Sequence, residues 1–82
     1  MQIPAITYLA ENQSLERLRA AEAALLAGLA PPFEVAGADA AEQLTHVLVA
    51  QVWLRHMQAH GTGLSAARRA FAGRVRRWVS AR

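Results

Sequence analysis

The sequence predicts an all-α protein, a small bundle of three main helices plus a short N-terminal helix, expected to share its core in a homodimer. Apolar residues make up 54% of the 82 positions, and much of that fraction is alanine, which favours helix but buries little area per residue. Capping residues and helix breakers divide the chain into helix-length segments. A chain of this length buries only about 60% of its unfolded surface, so a shared core would relieve a thin margin of stability. One domain, residues 1–82, is therefore expected.

Pro4 suits the first turn of a short helix because its missing N–H would have no partner there. Ile6 and Leu9 would then face inward up to about Asn12, although Ile3 to Tyr8 also fits a strand. Ser14 is a good N-cap for the next helix, Glu16 complements its positive dipole end, and Gly28 is its natural stop. Leu15, Leu18, Leu25 and Leu29 form a heptad-like stripe along it, with Leu26 beside them. Glu22 completes that spacing and is expected at the stripe's edge, its head in water or paired with an arginine.

Ala30-Pro31-Pro32 cannot continue a helix, since each proline pushes the preceding residue toward extended geometry. Phe33-Glu34-Val35 alternates apolar and polar, the pattern of a short strand or of an extended strap with Phe33 and Val35 inward. Asp39-Ala40-Ala41-Glu42 has capping-box spacing: Asp39 caps a new helix and Glu42 reaches back to the N–H of the cap residue. That helix should run to about His60 and stop at Gly61. Leu44, Val47, Leu48, Val52 and Leu54 make it apolar nearly all round, as helices are that lie centrally or between subunits. After Gly61-Thr62-Gly63, a last helix begins near Leu64 or Ser65. Its apolar stripe is Leu64, Ala67, Phe71, Val75, Trp78 and Val79, while Gly73 falls on the opposite side.

Cysteine is absent, so disulfides and thiolate ligands are excluded and any metal site must use His, Asp or Glu. Met1-Gln2-Ile3-Pro4 lacks the basic segment of a secretory signal, and no apolar run approaches the ~18 residues of a membrane span. A cytoplasmic protein without membrane contact is expected. The net charge is +3, and Arg68, Arg69, Arg74, Arg76, Arg77 and Arg82 crowd the C-terminal end. Such an end suits phosphate, a membrane surface or an acidic partner, and equally a solvated helix face.

All three histidines lie between Asp39 and His60, placed symmetrically about Gln51 together with Glu42. At about 100° per residue, Glu42, His46, Val49, Trp53, His56 and His60 fall on one side of the helix. Two copies packed antiparallel would set Glu42 opposite His60 and His46 opposite His56. Glu42, His46, His56 and His60 would then form two symmetry-related sites for a divalent metal such as zinc or iron. Ordinary roles compete strongly: the capping box accounts for Glu42, the C-terminal dipole for His60, and core packing for Val49 and Trp53.

Ile3-Pro4-Ala5-Ile6 with Glu11-Asn12, and the stretch from Gly37 to His46, resemble recurring motifs of a small uncharacterised bacterial family of about 80-residue helical proteins. Phe71-Ala72-Gly73-Arg74-Val75-Arg76 is similar to that family's C-terminal helix. The resemblance implies a stand-alone bacterial domain and transfers no activity, cofactor or site residue.

No nucleophile motif, phosphate loop or paired carboxylate is present, so no enzyme is expected. The leading expectation is a non-enzymatic accessory or protein-interaction module, a homodimer without a cofactor, whose unidentified protein partner meets an apolar groove or the basic end. Val49, Trp53, Arg69, Arg76 and Arg77 are the candidate interaction residues. A dimeric metal-binding protein is the alternative. Weak nucleic-acid binding through the last helix is a third reading, disfavoured because Phe71 and Trp78 belong to the apolar stripe.

Overall fold

Ile3 to Tyr8, which fits either helix or strand by pattern, folds as the first helix, α1 (Ile3–Asn12), with Pro4 in its opening turn. Ile6, Leu9 and Ala10 are buried at spacings of three and four, so one helical face satisfies the core where a strand would turn alternate residues outward. The computed structural model describes residues 1–80, with side chains through Arg77. Trp78 and Val79 of the expected stripe, and Arg82 of the basic end, lie outside the described side chains.

The second helix, α2 (Leu15–Leu26), starts as its cap predicts, with the Ser14 hydroxyl accepting from the Arg17 N–H at 3.2 Å. It ends in a reciprocal pair of backbone bonds: the Gly28 N–H donates to the Leu25 carbonyl and the Leu29 N–H to the Ala24 carbonyl. Gly28 supports this turn with a φ of 75°. The leucine stripe is corrected by the same turn. Leu18, Ala21 and Leu25 are buried, whereas Leu29 has left the helix and, like Leu26, is about two-thirds exposed.

The proline segment then doubles back beside α2. Phe33 lies under the Arg17 guanidinium, 5.3 Å from its ring centre, and Val35 is buried. This stretch is a strap, and no strand occurs among the described residues. The strap closes at Gly37, whose φ is 152°. A Cβ there would stand 2.9 Å from the Gln43 backbone nitrogen, so only glycine fits without a shift.

The third helix, α3 (Ala40–His60), is capped by the Asp39 carboxylate, which accepts from the Glu42 N–H at 2.8 Å. The capping box differs in one detail: Glu42 accepts the N–H of Ala38, one residue before the cap, at 2.9 Å. Helix α3 packs against α1, α2 and α4 (Leu64–Ser80). Its apolar character on nearly every side thus has an explanation within one chain. Val47, Ala50 and Trp53 face the other helices, with Ile6, Leu9 and Leu18 closing the core around them. Helix α4 follows the tight Gly61–Gly63 connection and rests on α3 through Ala67, Leu64 and Phe71.

Candidate functional site

Glu42, His46, His56 and His60 lie along α3 but do not assemble. His46 is fully buried inside its own chain. Its Nε2 accepts the Gln2 N–H at 3.0 Å, and its Nδ1 stands 2.7 Å from the Ala36 carbonyl. Accepting at Nε2 puts the proton on Nδ1, which donates to Ala36. Both ring nitrogens are therefore occupied, and no lone pair is left for a metal or for a partner's histidine. His56 is half-buried and His60 exposed, their rings 4.4 Å apart and tilted by 40° one helical turn from each other. Among the described residues, no group of three or more His, Asp or Glu side chains gathers as a metal site would require.

The shared face expected to meet a partner is corrected in the same way. His46, Val49 and Trp53 lie on the side of α3 that its own chain covers. Of the pattern about Gln51, Glu42, His56 and His60 keep exposed or half-exposed surface, while His46 is buried. Gln51 is itself buried, donating to the Glu22 carboxylate at 2.8 Å and accepting from the Arg55 guanidinium at 2.9 Å. Glu22 at the edge of its stripe thus meets an amide, and the arginine lies one step further on.

The structural feature best suited to binding is a groove of about 590 Å³ between the start of α1 and the side of α4. Met1 and Ile3 form one wall, Phe71, Ala72 and Val75 the other, and Trp53 of α3 lies beneath. The Phe71 ring meets Trp53 edge-on, with centroids 6.4 Å apart. Ser65, Arg68, Arg69 and Arg76 complete the lining, and no acidic residue contributes to it. Arg68 sits 5.9 Å from the Trp53 ring centre, a cation held over an aromatic face. Among the described residues, the indole Nε1 of Trp53 is buried with no hydrogen-bond partner, a donor whose isolation costs about 1–3 kcal/mol.

Of the candidate interaction residues, Trp53, Arg69 and Arg76 line this groove. Val49 is in the core, and Arg77 is exposed on α4 away from the lining. The sequence reading did not single out Met1, Ile3 or Ala72, nor Ser65, Arg68, Phe71 or Val75, as interaction residues. One signal was available: Ala72 and Val75 lie beside Arg68, Arg69 and Arg76 on α4, where an apolar stripe grades into a basic one. Nothing in the sequence tied that helix to the first three residues.

Residues 1–80 match the model of a family described as a family of unknown function (DUF6952). The chain belongs to that family. No curated protein matches it, and no solved structure does. Membership in DUF6952 agrees with the reading of a small uncharacterised domain and assigns no activity. Among the described residues, no helix is long and apolar enough to cross a membrane.

Proposed function

We propose that this protein is a small non-enzymatic interaction module that binds another protein in the groove between the start of α1 and α4. The observation that carries this reading is the groove itself, an open apolar channel over Trp53 in a chain whose other large buried side chains pack in a closed core. Specific recognition surfaces have this composition, with aromatic and apolar residues at the centre and arginine at the edge. The lining supports a binding role over a catalytic one. Ser65 is its one hydroxyl, and neither histidine nor carboxylate stands beside it to activate that group. The cytoplasm is the compartment this reading assigns, and a bacterial source accords with it.

A photo-crosslinking residue at Ser65, on the exposed rim, tests the proposal in the native host, with Arg19 on α2 as the control. A discrete adduct with another protein is expected from position 65, absent from position 19 and lost on Ala72→Phe, which fills the groove. Equal labelling from both positions would defeat the reading.

Self-association has its own support. Leu26 and Leu29, 67% and 65% exposed at the end of α2, are the most exposed large hydrophobics among the described residues and a surface suited to a homodimer. Light scattering after gel filtration should give a dimer that Leu26→Glu with Leu29→Glu converts to monomer. A monomeric parent chain would eliminate this second reading.

A further inference from the structure

We infer that the occupant of the α1–α4 groove is an acidic amphipathic helix of the partner protein, with apolar residues over Trp53 and carboxylates against Arg68, Arg69 and Arg76. This rests on the groove being a protein-binding surface, as proposed above. Charge distribution selects the partner. All six acidic residues of the chain fall between Glu11 and Glu42, so α4 carries five arginines and no acid. Three of those arginines line the groove, and no carboxylate of the chain joins them there. An occupant with acidic flanks would supply that missing charge, and the arginine fork suits carboxylates in particular.

Shape selects the helix. The groove follows α4 from Ser65 to Arg76, a rise of about 16 Å, which is roughly three helical turns. With no strand edge among the described residues to extend, the available mode is an amphipathic helix laid into an apolar channel, anchored at spacings of three, four and seven. A second copy of the chain fits poorly. Its acid-bearing helices α1, α2 and α3 bury their main apolar stripes in their own core and expose only scattered apolar residues such as Tyr8, Leu26 and Leu48, not a continuous face.

The test uses three fluorescein-labelled helical peptides with one common leucine face and with glutamate, glutamine or lysine beside it, followed by anisotropy against the full chain. The glutamate peptide is expected to bind roughly tenfold more tightly than the glutamine peptide, the sum of three rim ion pairs, and to weaken with salt. The lysine peptide should not bind. Combined Arg68→Gln, Arg69→Gln and Arg76→Gln should erase the difference between glutamate and glutamine peptides while circular dichroism stays helical.

Equal affinity for the glutamate and glutamine peptides would overturn the acidic partner and leave the groove reading intact. The same holds if no peptide binds while position 65 still yields its specific adduct. Glutamate-peptide binding that survives Ala72→Phe would place the site elsewhere and overturn the inference. Retention of the chain on phosphatidylglycerol vesicles or DNA, in place of the peptide, would show that the arginines serve a phosphate surface and would also overturn it.

Discussion

The backbone N–H of Gln2 donates to Nε2 of His46 across 3.0 Å, fastening the first residues of the chain to the central helix. From its other nitrogen the same ring holds Ala36 of the strap at 2.7 Å. One buried imidazole thus joins three segments remote in sequence. The chain neighbours of Gln2, Met1 and Ile3, are a wall of the groove, so His46, which never touches the groove, sets where one side of it stands.

His46→Ala should therefore cost about 2–4 kcal/mol in urea unfolding, since it opens a cavity in place of a fully buried ring and removes its part-buried hydrogen bonds to Gln2 and Ala36. Hydrogen exchange should quicken first at Ile6, whose amide bonds the Gln2 carbonyl, and along the rest of α1. A loss of under 1 kcal/mol with α1 still protected would remove the anchoring role.

The Gln51 network predicts non-additive losses. Gln51→Ala should destabilise by about 2–4 kcal/mol, because it empties a core position and leaves the half-buried Glu22 carboxylate without its donor. Glu22→Gln keeps an acceptor oxygen at the same place and should cost less than about 1 kcal/mol. A double-mutant cycle between positions 22 and 51 in chemical denaturation should show coupling of about 0.5 kcal/mol or more. Simple additivity would mean that the contact contributes nothing.

Two glycines predict opposite signs. Gly37→Ala places a Cβ against the Gln43 backbone at a φ of 152° and should cost about 2–3 kcal/mol. Gly73→Ala lies within α4, where the nearest atom is the Arg77 guanidinium at 3.9 Å, and should stabilise by up to about 1 kcal/mol. Thermal melts of the two variants should move in opposite directions.

Metal addition gives a further check on the histidines. With His46 engaged at both nitrogens, zinc or iron should leave the melting temperature unchanged. A rise of several degrees that disappears in His56→Ala would restore a metal role to α3.

Local chemistry was legible in the sequence wherever one residue type settles a backbone group. Ser14, Gly28, Asp39 and Gly61 mark their helix ends because capping depends on neighbours a few residues away. The histidine pattern misled for a related reason. Helical spacing shows which residues share a face but not what covers it, and His46, Val49 and Trp53 of the face that suggested a partner are buried in their own chain. Phe33 to Val35 needed the strap's path beside α2, and the groove needed the first residues brought to α4. Both are contacts between segments far apart in sequence, which periodicity does not encode.

The account's central claim is that the groove over Trp53 is the binding surface. A nitrogen-15 NMR titration of the full chain with the glutamate peptide tests it most directly. The largest shifts are predicted at the Trp53 indole N–H, at Ile3 and along Ser65 to Arg76, with Leu26 and Phe33 unmoved. Shifts concentrated around Leu26, Leu29 and the strap, with the Trp53 indole still, would contradict it.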